Sequence, residues 1–442
     1  MARFQASTSS GTLTAPYGPG PLGVAAAIFF LMGFVTWLNG PLISFVRVAF
    51  SLGDVAAFMV PLVFYVSYFI FSIPASFLAR SLGLRQGLSG ALLLCALGVA
   101  VFGQFVSMRL YGGALTGLLI LGAGLSLMQV VINPLVSLLG PPDRAAQRIA
   151  IMGVCNKCAG ILAPIVLATV VMGDIDHVAQ SVQSAPDAAT RNAVLNAFVQ
   201  AIYAPYMGMA VLLLMASVGV AFCPLPNLQA PPIPGLPDSG TRIFRPHLVF
   251  GILTMFLYVG VEVMAGDAIG TYGQQFGLPL SQTKFFTSLT LAAMLFGYLL
   301  GFVIVPRIIT QERFLELSCI GGIGLTFMAF MTGGYVSVGC VALLGAANAM
   351  MMPTIFPIAI RGAGPWTPLA SALIVMGYSG GAIVPQVYVA LKPFVGFQAM
   401  FALLVALLHN SSIVRAEAIQ DFVLRDRLCE GDPERREAIE YG

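Results

Sequence analysis

Charge is what this sequence has least of. Only 9% of its 442 residues are Asp, Glu, Lys or Arg, and 58% are apolar; a soluble domain carries about 25% charge. That deficit excludes a soluble globular chain, and a net charge of +3 gives no reason to expect a nucleic-acid partner. Histidine is scarce as well: His177, His247 and His409 are scattered along the chain. A membrane enzyme acting on a lipid-linked sugar would need catalytic acids or metal ligands near a membrane face. The loops hold short arginine turns with neither paired carboxylates nor a histidine cluster, so an enzyme is not expected. Among seven cysteines, the only close pair is Cys155-x-x-Cys158 in an apolar run. With no second pair nearby it reads as small buried hydrophobes, and no metal or cofactor is expected.

What the chain has in plenty is long apolar runs, and about 20 residues suffice for one membrane crossing. Spans are predicted near 22–46, 55–79, 88–107, 111–139, 149–172 and 204–222. A second set is predicted near 246–272, 283–305, 314–332, 335–360, 367–391 and 396–414. The expected fold class is an all-α membrane protein of about twelve transmembrane helices, embedded in a lipid bilayer. Residues 1–21 read as a short polar cytoplasmic lead, 223–245 as a proline-rich cytoplasmic linker and 415–442 as a charged cytoplasmic tail. With the N-terminus inside, the outer loops receive only Arg47, Arg109, Arg191, Lys284 and Lys392. Positive residues favour the cytoplasmic side, so both termini are expected there.

The chain also repeats itself. "NPLVSLLGPPDRAAQRIAIMGVCNKCAGILAPIV" and "MPTIFPIAIRGAGPWTPLASALIVMGYSGGAIVPQV" align Pro134 with Pro353, Gly160 with Gly381 and Pro164 with Pro385. Two six-helix halves, 22–222 and 246–414, follow from this repeat. Parallel repeats of this kind place a substrate near the membrane midplane, between the halves. A channel fits less well than alternating access.

Ionisable groups inside a membrane are costly and usually functional. Three stand out: Lys157 in span five, and Glu262 and Asp267 in "YVGVEVMAGDAIGTY" of span seven. Counted along the predicted helices, Lys157, Gln129 and Asn133 sit about 12, 15 and 9 Å from the cytoplasmic end. Glu262 sits about 24 Å up, so a direct bond to Lys157 would need a long reach or a bridging water. Five residues turn Glu262 and Asp267 roughly 140° apart on a helix, so they are not expected to share a neighbour. Lys157 reads as a fixed internal cation, or as a partner of Glu262 or Asp267 that changes as the halves rock. The competing readings are snorkelling for Lys157, a helix–helix hydrogen bond for Glu262, and an end-of-helix acid near outer water for Asp267. Trp37, Asn39, Gln129, Asn133, Asn156 and Asn348 supply amides for hydroxyl pairs and an aromatic surface, as a sugar site requires. Amides also join membrane helices to one another.

The motifs "NPLVSLLGPPD", "YVGVEV", "PTIFPIAIRG" and "SALIVMGYSGGAIVP" resemble those of the fucose, glucose/galactose and N-acetylglucosamine porters of the major facilitator superfamily. The resemblance covers spans one to eleven. It implies a major-facilitator fold in which spans one, four, seven and ten line the cavity. It further implies monosaccharide import across a bacterial inner membrane by a monomer, coupled to H+ or Na+. An uncoupled sugar facilitator and efflux of another small solute are the alternatives. Fucose:proton symporters carry an aspartate after the span-one "LN" and a glutamate four residues before the span-four "NP". Gly40 and Gln129 stand in those places here. On this reading Trp37, Asn39, Gln129, Asn133, Asn156 and Asn348 bind substrate, and Lys157, Glu262 and Asp267 serve coupling or gating.

Overall fold

The structure, a computed structural model, describes residues 19–138, 145–223, 246–305, 308–360, 363 and 366–406. Among the described residues every regular element is a helix. Among the described residues, ten helices are long and apolar enough to cross a membrane. Phe77, Phe222, Phe327 and Phe394 are all more than 60% exposed; apolar surface of that kind is a liability in water and matches lipid. The protein is therefore a multi-pass membrane protein. The predicted lead up to residue 18, all of the linker except Cys223, and the tail lie outside the described residues. Of the expected twelfth span, Phe397–Ala406 is described.

Most spans lie where the apolar runs place them. Spans two and three form one continuous assignment, Met59–Ser107, about 74 Å of helix against a hydrocarbon core of about 30 Å. It is two helices joined at Gly83, whose φ of 73° is a conformation glycine adopts without a Cβ penalty. Two helices absent from the sequence reading follow span five: Ile175–Ser184 and Ala188–Gln200. Their polar, Ala-rich sequence gives no spanning signal. Asp187 caps the second by accepting the Thr190 N–H at 2.6 Å, which holds its carboxyl below the usual carboxylate value. Phe198 of that helix lays its ring 4.8 Å from Phe45 and closes one end of the bundle.

Spans one, seven, ten and eleven are interrupted near mid-depth, each for a local reason. Span one is split into Pro19–Thr36 and Asn39–Ala49, and span ten into Gly334–Asn348 and Met351–Ala359. In each, a proline (Pro41, Pro353) is the third residue of the second segment. There its missing N–H would have had no intrahelical partner in any case. Span seven is split into Pro246–Gly266 and Ile269–Gln274. The carbonyls freed at Ala265 and Gly266 accept the Thr290 and Thr287 hydroxyls of span eight, Phe286–Ile304, at 2.8 and 2.9 Å. Span eleven passes through a 3-10 turn at Gly377–Ser379 before continuing as Gly380–Val395. A Cβ at Gly380 would overlap the Phe256 carbonyl oxygen of span seven, so the backbones meet there. Packing through small residues is how membrane helices associate without a hydrophobic driving force.

Candidate functional site

The interruptions converge on one polar layer. Lys157 of span five, Ala145–Val170, donates from Nζ to Glu262 Oε1 of span seven at 2.9 Å. The two side chains are 6% and 12% exposed, so the pair joins span five to span seven inside the protein. This corrects the expected separation. Span five begins at Ala145 rather than 149, which raises Lys157 to about 18 Å along its helix. The lysine stem covers the remaining offset to Glu262. The same ammonium lies 4.0 Å from the Trp37 ring centroid, a cation–π contact in desolvated surroundings. Lys157 is thus neither snorkelling nor free.

The six amide and indole candidates divide into three groups. Trp37 and Asn156 are bound to each other: Trp37 Nε1 donates to Asn156 Oδ1 at 3.1 Å, and Asn156 Nδ2 donates to the Phe29 carbonyl at 3.2 Å. Trp37 is 3% exposed, with Gly160 and Gly266 against its ring. Together these residues brace spans one and five beneath the lysine. Gln129 donates to the Tyr68 hydroxyl at 3.2 Å, and Asn133 faces the Tyr378 hydroxyl. Asn39 and Asn348 form the third group, 1% and 0% exposed. Asn39 Nδ2 and both amide atoms of Asn348 have no hydrogen-bond partner among the described residues. Unpaired buried polar atoms are rare in native structures and mark places that something else fills.

Asp267 is 1% exposed, which rules out the end-of-helix acid at outer water. Both of its carboxylate oxygens lack a hydrogen-bond partner, and the backbone N–H of Gly40 is directed toward them. Lys157 acts on Asp267 through its charge, but its contact is with Glu262 alone among the described ion pairs. Asp267 N–H still makes a helical bond to Val263 O at 2.8 Å, and Ala268 N–H reaches back to the same carbonyl at 3.1 Å as the helix ends.

Tyrosines complete the layer, and the sequence reading missed them. The Tyr65 and Tyr68 rings stack 6.0 Å apart, and Tyr68 meets Tyr378 across the two helical sets at 5.4 Å. Tyr258, one turn before Glu262, directs its hydroxyl at that carboxylate. The available signal was "FYVSYF", two phenols three residues apart in an otherwise apolar run. Buried phenols need partners for their hydroxyls.

The layer is closed off in both directions. Toward one end, Ala150, Tyr298, Met350 and Phe314 pack together with Trp37, Leu291 and Met294. At the other end the closure is ionic. Asp54 binds Arg47 at 3.0 Å and also Lys392, and Arg47 donates to Gln274 at 2.7 Å. Lys284 donates to the Met172 and Gly173 carbonyls at 2.6 and 3.2 Å. The Ser281 N–H donates to Asp176 at 3.2 Å. Arg109 and Arg191, bonded to Asn192 and Ser51, lie at that end too. All five cations assigned from sequence to one face are therefore together, and three of them tie the first helical set to the second.

Comparison with known proteins agrees with this architecture. The model of the Major Facilitator Superfamily matches residues 25–385. A glucose/galactose transporter of Brucella abortus biovar 1 (strain 9-941) is 28% identical over 379 residues, covering 85% of this chain and 88% of that protein. The L-fucose-proton symporter of Escherichia coli (strain K12) is 26% identical over 375 residues, covering 83% and 85%. The crystal structure of the transporter FucP in the outward conformation superposes with a TM-score of 0.75 at 25% identity, covering 90% of this chain and 98% of that one. Ten described helices long and apolar enough to cross a membrane, a buried polar layer and a family match over residues 25–385 lead to one assignment: the chain belongs to the Major Facilitator Superfamily.

Proposed function

We propose that the protein imports a monosaccharide of the glucose/galactose or fucose kind by alternating access, in symport with protons. The names of the two relatives support the substrate class, and the L-fucose-proton symporter supports the ion. The observation that carries the reading is a set of buried amide atoms without a described partner, Asn39 Nδ2 and both side-chain polar atoms of Asn348, beside the layer that holds the Lys157–Glu262 bridge. A buried polar group left without a partner costs about 1–3 kcal/mol. A sugar brings several hydroxyls, each both donor and acceptor, and relieves that cost. Trp37 already carries the Lys157 ammonium on its ring, so contact with the sugar's C–H face falls to Tyr68 and Tyr378. The end closed by Asp54 is assigned to the outside of a bacterial inner membrane and both termini to the cytoplasm, because the positive-inside preference is met that way. The two six-helix units, 22–222 and 246–414, rock about the layer while the linker 223–245 spans them. One chain supplies both units, so the working form is a monomer.

The test is counterflow of labelled glucose into proteoliposomes preloaded with unlabelled sugar, with galactose, fucose, mannose and N-acetylglucosamine as competitors. The expected result is saturable exchange inhibited by at least one of these. Asn348→Ala should raise the half-saturation concentration about tenfold, the equivalent of roughly 1.4 kcal/mol. Exchange with none of the five sugars would overturn the substrate class. Unchanged half-saturation in Asn348→Ala would remove Asn348 from the site.

A further inference from the structure

We propose that Asp267 is the group that binds the coupling proton, while Lys157 and Glu262 stay together as a charge-neutral bridge. This rests on the symport reading above and assigns its proton site. Asp267 is 1% exposed, neither oxygen has a hydrogen-bond partner, and no described cation forms an ion pair with it. The titratable groups that face it are Glu262 on its own span, Lys157 on span five and Tyr65 on span two. Span eight presents Thr287, whose hydroxyl is already given to the Gly266 carbonyl at 2.9 Å. From span one the backbone N–H of Gly40 is directed toward it, and a Cβ at Gly40 would overlap Thr287 Oγ1. Lys157 is committed to Glu262 at 2.9 Å. An ionised carboxylate in this setting is offset only by the Gly40 N–H and by a lysine already paired to Glu262, and a buried charge so weakly paired is costly.

The position also gives Asp267 a way to meet water. It stands at the foot of the short segment Ile269–Gln274, whose last residue holds Arg47 at 2.7 Å and Ser44 at 3.1 Å. Parting of those bonds frees the segment, and the break at Gly266 lets it move without the helix below. A proton from the outer water then forms an O–H bond on a carboxylate oxygen. With the outer end closed again the acid is neutral and sealed. Opening toward the other end breaks the same O–H bond and delivers the proton to water there, with no change of oxidation state.

The experiment combines infrared spectroscopy of the full chain in lipid with transport. The wild-type protein is expected to show the carbonyl stretch of a protonated carboxylic acid, growing as pH falls. The Asp267→Asn spectrum should lack that band, and Asp267→Glu should shift it if the amide variant does not fold. In proteoliposomes, Asp267→Asn should lose accumulation driven by a pH gradient, its inside-to-outside ratio falling to one, while sugar exchange survives at a slower rate. A protonated-acid band identical in wild type and Asp267→Asn at every pH would overturn the assignment. So would full gradient-driven accumulation by Asp267→Asn. A wild-type chain that exchanges no sugar instead strikes the substrate reading, and the infrared comparison still decides the proton site.

Discussion

Replacing Lys157 with alanine is expected to abolish transport and to destabilise the protein by about 3–5 kcal/mol, the usual consequence of removing one partner from a buried ion pair. Glu262 would be left without its cation beneath span eight, and Trp37 would lose the ammonium 4.0 Å from its ring centroid. The pair itself contributes far less than that figure. Placing two charges in a low-dielectric interior costs much of what their attraction returns, so the damage lies in orphaning Glu262. Lys157→Ala combined with Glu262→Gln should therefore recover most of the lost thermal stability. Lys157→Arg should keep part of the transport rate, since it preserves charge and donor. Thermal unfolding in detergent, read beside counterflow, checks both parts. A double variant no more stable than Lys157→Ala, or normal transport by Lys157→Ala, would show that the bridge is not what holds the halves at mid-depth.

The second large effect is expected at the ionic end. Asp54→Asn removes the anion that joins Arg47 of span one to Lys392 of span eleven. Lys392 is 8% exposed and Asp54 about one-quarter, so the loss falls between an exposed pair at ~0–1 kcal/mol and a buried one at ~3–5 kcal/mol. About 1.5–2 kcal/mol on the closed state shifts the ratio of open to closed molecules roughly 10- to 30-fold. Ser44, 3% exposed beneath the clamp and bonded to Gln274, is the reporter position. A Ser44→Cys thiol should react with a membrane-impermeant alkylating reagent at least about tenfold faster when Asp54→Asn is also present. Arg109→Ala is the control, because Arg109 bonds only to Asn192 and Asn196 within the first helical set. Equal acceleration by both variants would mean general loosening rather than an opened closure between the halves.

Much of this architecture is legible in the sequence because the membrane imposes it. Span positions follow from apolar run length, and the grouping of Arg47, Arg109, Arg191, Lys284 and Lys392 follows from the scarcity of cations elsewhere on that face. Lys157, Glu262 and Asp267 stand out because a charge in an apolar run has few innocent explanations. What eludes the sequence is depth and direction. Lys157 and Glu262 were placed about 12 Å apart in height, since a helix start misjudged by four residues misplaces a side chain by about 6 Å. Trp37 looked like a sugar platform from composition, whereas only coordinates show Lys157 and Asn156 already occupying it. The phenols Tyr65, Tyr68 and Tyr378 escaped notice because tyrosine is apolar enough to vanish into a hydropathy pattern. Ile175–Ser184 and Ala188–Gln200 were invisible for the opposite reason, being too polar to register as membrane helices.

The three lysines of the chain compress the account into one pattern. Each is buried, at 5%, 5% and 8% exposure, and each reaches across the two helical sets: Lys157 to Glu262, Lys284 to Met172 and Gly173, and Lys392 to Asp54. Lys157 lies in the buried polar layer, and Lys284 and Lys392 lie at the end where Asp54 binds Arg47.

Accumulation of labelled sugar in proteoliposomes, with pH and sodium gradients imposed separately, tests symport most directly. The account predicts uptake above equilibrium when the outside is acid, and no accumulation when sodium is the only gradient. Accumulation driven by sodium alone, or equilibration under both gradients, would contradict it.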